Sequence, residues 1–224
     1  KRYRHHVLTA FQRPKALIIL GGKTGSGKTK ILAELAQLGE QVIDLEGLAH
    51  HKGSAFGWVN ERPQPRTEMF ENLLFRQWSA VRPDQRLWLE DESKNIGSIF
   101  LPDALWVQMR SAPVFFLEVP VQTRVPQLVK DYGSAPLEDL RKSLGKISKR
   151  LGSQLHRLCC EALEQKDYAM VAQATLNYYD QCYLHGLSKR TGNTVTFIES
   201  DTVDPRENAI KLLAKANQPQ PSDL

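Results

Sequence analysis

The segment GKTGSGKT, Gly22 to Thr29, has the spacing G-x-x-x-x-G-K-[ST], and the chemistry of that pattern is phosphate binding. Gly25 and Gly27 let the backbone curl so that successive N–H groups face an anion, across Thr24 and Ser26, and the start of the following helix adds partial positive charge. Lys28 is placed to reach terminal phosphate oxygens, and the Thr29 hydroxyl to hold Mg²⁺. The motif does not say whose phosphate binds, or whether it is transferred, hydrolysed or released.

A Mg²⁺ site needs a carboxylate at the end of a neighbouring strand. LWLEDES supplies Glu90, Asp91 and Glu92, and three adjacent carboxylates call for a cation or a basic group to neutralise them. Asp91 or Glu90 is the candidate catalytic and metal-holding residue, acting with Lys28 and Thr29; the sequence does not choose between them. VIDLEG adds Asp44 and Glu46 at the end of another apolar run. They read equally well as phosphate-site carboxylates or as a helix cap and turn.

The basic run Arg141 to Arg150, RKSLGKISKR, contains no carboxylate. Arg141, Lys146, Lys149 and Arg150, with Arg124 in the helix before it, suit a helical lid over the phosphates, where cations stabilise charge on a leaving group. They also suit a nucleic-acid backbone or a solvated helix face. Chain neighbours point apart, so His5–His6 and His50–His51 do not make a two-histidine metal site. His50 and His51 read better as substrate contacts in the long segment His50–Arg66.

Five apolar segments must position these groups: Ala16–Leu20, Gln41–Leu45, Arg86–Glu90, Pro113–Val119 and Thr194–Ser200. They run apolar without alternation, as strands covered on both faces of a parallel sheet do. Helical patterns lie between them, including TEMFENLLFRQWSAV with Phe70, Leu73, Leu74, Trp78 and Val81 on one face. The fold class is therefore α/β, with a mostly parallel five-stranded, kinase-like P-loop sheet and a helical insertion. Residues 15–133 and 191–215 form the expected core, 134–190 the helical lid, 1–14 a basic leading segment and 216–224 a disordered tail. Asp204, Pro205 and Glu207 read as cap, first turn and capping box of the last helix.

The chain has 224 residues, formal net charge +5 and three cysteines. Cys159, Cys160 and Cys182 form no disulfide framework or zinc pattern and fit a reducing cytoplasm. No run approaches the ~18 apolar residues of a membrane span.

GGKTGSGKT, QVIDLEGLAHHKGSAFG, WLEDESKNIG, LPDALWVQMR and VPVQTRVPQLVKDYG, in that order, resemble the tRNA 2-selenouridine synthase family, over most of the chain. That resemblance implies an enzyme that replaces sulfur by selenium in wobble 2-thiouridine of tRNA. It uses selenophosphate and passes through an S-geranyl intermediate made from geranyl diphosphate. It also implies an N-terminal rhodanese-like domain with a reactive cysteine. That domain is not in this chain, which begins at Lys1, so the expectation is the C-terminal P-loop domain alone, with the selenation cysteine elsewhere. Under the resemblance, Gly25, Gly27, Lys28 and Thr29 hold the diphosphate of the prenyl donor, the carboxylates help hold Mg²⁺, and Phe56 and Trp58 cover the apolar tail or serve ordinary core packing. A nucleotide-dependent kinase or ATPase, and a tRNA-binding module with a non-catalytic P-loop, are the competing readings.

Overall fold

The computed structural model describes residues 2–190 and 195–218. Lys1, Thr194 of the expected last strand, the core positions 191–193 and the tail residues 219–224 lie outside them. Five parallel strands form one sheet: β1 (Leu17–Gly22), β2 (Gln41–Ile43), β3 (Leu87–Glu90), β6 (Val114–Glu118) and β7 (Val195–Glu199), in the order β2-β3-β1-β6-β7. Between β3 and β6 lies a small antiparallel hairpin, β4 (Asn95–Ile96) and β5 (Ile99–Phe100).

The unbroken apolar runs are explained by the two layers they feed. Leu17 and Ile19 of β1, Leu87 and Leu89 of β3, and Val114 and Phe116 of β6 enter one core. Their chain neighbours Leu20, Trp88, Phe115 and Leu117 enter the other. The first core is covered by α1 (Arg2–Ala10), α3 (Leu45–Ala49), α4 (Thr67–Ala80) and α5 (Asp103–Ser111). The second is covered by α2 (Lys28–Gln37) and α11 (Pro205–Ala216). Helix α4 buries Phe70, Leu74 and Trp78 at helical spacing, with Leu73 and Val81 half-buried. Leu74→Ala there would cost about 2–5 kcal/mol.

The basic leading segment is a working part of this core. Val7 and Phe11 are fully buried, the Trp78 indole donates to the Ala10 carbonyl at 3.2 Å, and Arg4 pairs with Glu71 and Glu68 of α4. Arg4 thus meets carboxylates of its own chain.

After α6 (Val121–Tyr132) come α7 (Leu137–Lys146), α8 (Ser148–Leu151), α9 (Ser153–Glu164) and α10 (Tyr168–Ser188). Leu140, Leu144, Ile147, Cys159, Leu163 and Val171 build a third apolar cluster here, joined by Val59 from the long loop. The 21-residue α10 belongs to two places: Val171 and Ala174 sit in the third cluster, while Tyr183 and Leu187 pack against the sheet core. At the end of the chain, the Asp204 carboxylate accepts from the Glu207 N–H at 2.8 Å, and Pro205 opens the helix.

Candidate functional site

At the carboxyl end of β1 the chain turns through Gly25 and Gly27, both at φ 83°, into α2. Gly25 also has no room for a side chain, since a Cβ would stand 3.1 Å from Leu128 and 3.3 Å from Arg124. No side chain caps α2, whose cap position is Gly27, which leaves its first amides for an anion. Lys28 Nζ folds back to donate to the Gly22 carbonyl at 3.1 Å. Ser26 Oγ is buried and has no hydrogen-bond partner among the described residues. Gly22, Thr24, Gly25, Ser26, Gly27, Lys28 and Thr29 thus form one continuous cradle.

Beside it the two neighbouring strands deliver four carboxyl groups. The Thr29 hydroxyl donates to Glu46 at 3.0 Å, and the Glu46 N–H donates to Glu90 at 2.7 Å. Asp44 caps α3, accepting from the Gly47 N–H at 2.7 Å. Its charge acts on Glu90, as that of Glu46 acts on Glu92. Glu90 is fully buried and its Oε2 lacks a donor among the described residues. Burial first, then the charges of Asp44 and Glu46, push the Glu90 carboxyl well above the usual range. Burial and Glu46 do the same to Glu92, against the pull of Lys28. Asp44 is raised by burial, although its bond from Gly47 opposes the shift. Such a cluster is satisfied by shared protons or by a cation. Of the two readings left open for Asp44, the helix cap is formed, and the residue also lines the cleft beside Lys28 and Thr29.

Does this donor set fit Mg²⁺? No group of three or more His, Cys, Asp or Glu side chains among the described residues converges on a single metal point. Mg²⁺ does not require one, because it is held by one or two carboxylates with waters and substrate phosphates. The hydroxyl of Thr29, the carboxylate of Glu46 and the undonated oxygen of Glu90 are hard oxygen ligands of that kind.

Asp91 lines the same cleft but faces other partners. Successive residues of a strand point to opposite faces, so Glu90 looks toward Glu46 while Asp91 looks toward α10. There it accepts from the Tyr183 hydroxyl at 2.6 Å and pairs with Arg190, itself almost fully buried. Thr29 donates to Glu46, while Asp91, expected to hold Mg²⁺ with Thr29, is engaged by Tyr183 and Arg190.

The expected lid cations also divide. Arg124 is buried and fully engaged: Nε donates to the Val119 carbonyl at 2.9 Å, Nη1 to the Thr24 carbonyl, and both Nη atoms to Asp180. It braces the cradle from behind. Arg141 faces away, pairing with Glu138 and Glu164. Lys146, with Lys142, lies over the Trp58 ring at 4.9 Å. Lys149 is exposed. Arg150 donates to the Tyr178 hydroxyl at 2.7 Å and lines the cleft. His50 serves the loop's own geometry, with Nδ1 against the Pro63 carbonyl at 2.9 Å and Nε2 near Arg62. His51 is buried, and burial followed by Lys146 lowers its pKa.

Together these elements enclose a cleft of about 980 Å³, with Lys28, Thr29, Asp44 and Glu46 on one wall and Arg150, Tyr178 and Tyr183 on the other. Sequence reasoning misses the α10 residues Tyr179, Asp180 and Tyr183, and Arg190 after it, as parts of the site. Their signal is weak: acidic and aromatic side chains lie in a helix otherwise rich in small apolar residues.

The family model for the tRNA 2-selenouridine synthase AAA domain matches residues 15–209. A tRNA 2-selenouridine synthase of Sulfurovum sp. (strain NBC37-1) is 34% identical over 74% of this chain and 52% of the relative. One from Shewanella loihica (strain ATCC BAA-1088 / PV-4) is 34% identical over 87% of this chain and 60% of the relative. The chain thus spans little more than half the length of these curated relatives. Among solved structures, TT1252 from Thermus thermophilus overlays with a TM-score of 0.47 at 14% identity, covering 92% of this chain and 100% of the other. On the family match, this chain belongs to the tRNA 2-selenouridine synthase AAA domain family.

Proposed function

We propose that this chain is the P-loop part of a tRNA-modifying transferase that converts wobble 2-thiouridine to 2-selenouridine through S-geranyl-2-thiouridine. In this reading the cradle grips the diphosphate of geranyl diphosphate. The observation that carries it is the joined arrangement of Lys28, Thr29 and the Glu46–Glu90 carboxyl pair at the cleft. It provides for a highly charged group at one end of a cavity wide enough for a large second substrate.

In the geranylation step the thione sulfur bonds to the allylic carbon as the carbon–oxygen bond to diphosphate breaks, and the N3 proton of the base passes to solvent water. Lys28 and the α2 amides stabilise the charge that gathers on the departing diphosphate. Mg²⁺, held by Thr29 with Glu46 or Glu90, would supply further charge stabilisation there. The later exchange for selenium uses selenophosphate and a cysteine outside this chain, in the rhodanese-like domain that the family resemblance implies. A tRNA substrate supports a cytoplasmic location; no described helix is long and apolar enough to cross a membrane.

The test is geranyl transfer to a thiolated anticodon stem-loop by wild type and Lys28→Ala. Loss of transfer with folding intact supports the reading. Full transfer at low donor concentration overturns it. Tight Mg²⁺-dependent ATP binding, with none of geranyl diphosphate, would favour a nucleotide-dependent kinase or ATPase instead. Salt-sensitive tRNA binding without transfer would leave an RNA-binding module.

A further inference from the structure

Directly behind the phosphate cradle, α6, α9, α10 and the loop at Ser54–Phe56 enclose a second, drier space. It is a crevice of about 60 Å³. Its inner wall is Phe56, Leu140, Leu163, Val171, Ala172 and Leu176. Thr24, Ser54, Leu128, Tyr132 and Tyr179 line both the crevice and the large cleft, so the two spaces lie side by side along these residues. Thr24 belongs to the cradle itself, and Leu128 is the side chain against which Gly25 is packed. An anion seated on the loop therefore has an apolar crevice beside it, lined in part by the same Thr24.

Size and polarity limit what fits. The crevice is small beside the 980 Å³ cleft and its inner wall is apolar, which suits the branched end of a hydrocarbon. Two of the hydroxyls in the wall are engaged within the protein. Thr175 Oγ1 donates to the Val171 and Ala172 carbonyls at 2.8 and 3.2 Å, and Tyr179 Oη accepts from the Ala55 N–H at 3.2 Å. The polar edge of a base would lose its bonds to water here without replacement. A hydrocarbon loses nothing.

We infer that this crevice, roofed by Ala172 and Thr175 of α10, is the specificity-determining subsite for the apolar end of a diphosphate ester. It admits hydrocarbon chains and turns nucleotides away from a loop whose motif is shared with nucleotide-binding proteins. The chain leaves the cradle past Thr24, runs along Leu128, Tyr132 and Tyr179, and seats its far end against Ala172. This deepens the proposed function and rests on its reading of the P-loop as a diphosphate site.

The experiment measures Mg²⁺-dependent binding of inorganic pyrophosphate, dimethylallyl diphosphate, geranyl diphosphate and ADP to wild type, Ala172→Leu and Lys28→Ala. Each buried methylene adds to affinity, so wild type should bind geranyl diphosphate on the order of 10- to 100-fold tighter than pyrophosphate. ADP should gain nothing over pyrophosphate. Ala172→Leu fills the crevice; it should remove that advantage and leave pyrophosphate affinity unchanged, which also reports an intact fold. An undiminished geranyl advantage in Ala172→Leu, or ADP binding tighter than geranyl diphosphate in wild type, overturns the inference. Backbone hydrogen exchange in wild type gives a measure independent of the variant. Val171–Leu176 should be protected by geranyl diphosphate beyond pyrophosphate, and equal protection overturns the assignment. Lys28→Ala separates the two proposals: retained pyrophosphate affinity in that variant defeats the P-loop reading, whereas the crevice stands or falls on the difference between the ligands.

Discussion

Arg124 on α6 and Asp180 on α10 form a two-pronged ion pair at 2.9 and 2.7 Å, and the same guanidinium holds the Thr24 carbonyl of the phosphate loop. One buried arginine thus ties the lid helix to the cradle. Removing one partner leaves the other charge uncompensated, whereas removing both does not. Asp180→Ala should lower stability by about 3 kcal/mol, measured by urea unfolding. The double variant Arg124→Met, Asp180→Leu should recover much of that loss. If Asp180→Ala is neutral, the pair is not the tie described.

Tyr183 gives α10 a second hold on the same loop. Its hydroxyl donates to Asp91 at 2.6 Å and accepts from the Gly22 N–H at 3.3 Å. Tyr183→Phe keeps the ring against Phe116 and deletes both bonds, leaving a buried amide and a carboxylate short of a partner. The expected cost is about 1–3 kcal/mol, with faster hydrogen exchange at the Gly22 amide than in wild type. An unchanged Gly22 exchange rate would show that the hydroxyl does not fix the loop.

How much of this is legible in the sequence depends on how local each cause is. The five strands show because each run feeds two cores at once, and the Asp204 cap shows because cap and amide are three residues apart. The hairpin β4–β5 does not, since two-residue strands carry no pattern. Arg124 reads as a phosphate ligand until Asp180, 56 residues later, is brought beside it. The choice between Glu90 and Asp91 turns on which face of β3 meets Glu46 and which meets Tyr183 and Arg190. That is set by packing partners from α3 and α10, and no residue near position 90 reports it.

The basic run should divide functionally as it divides in space. Arg141 meets Glu138 and Glu164, while Lys149 is exposed and Arg150 lines the cleft. Removing one cation from a nucleic-acid phosphate reduces the slope of log affinity against log salt by about 0.7–0.9. Lys149→Gln with Arg150→Gln should therefore flatten the salt dependence of tRNA binding by up to about 1.8, and Arg141→Gln should leave it unchanged. Equal slopes for all three proteins would assign the run to a solvated face.

The carboxyl cluster predicts a stability that falls as pH rises in the absence of divalent cations. Burial raises Glu90 and Glu92 well above their ordinary value of 4.5. Below that value the groups are neutral in both folded and unfolded chains, and their burial carries no ionisation cost. Above it the unfolded chain releases its protons while the buried carboxyls keep theirs, so unfolding becomes easier with each pH step until the folded groups ionise. Each retained proton contributes a slope of at most about 1.4 kcal/mol per pH unit. Glu90→Gln keeps the neutral shape and removes one titration, so its urea stability with a chelator present should decline less than wild type between pH 5 and 8. A divalent cation takes the place of the protons, so the stabilisation by Mg²⁺ should grow with pH in wild type and shrink in Glu90→Gln. Parallel pH profiles for the two proteins would mean that Glu90 does not hold a proton in the folded chain.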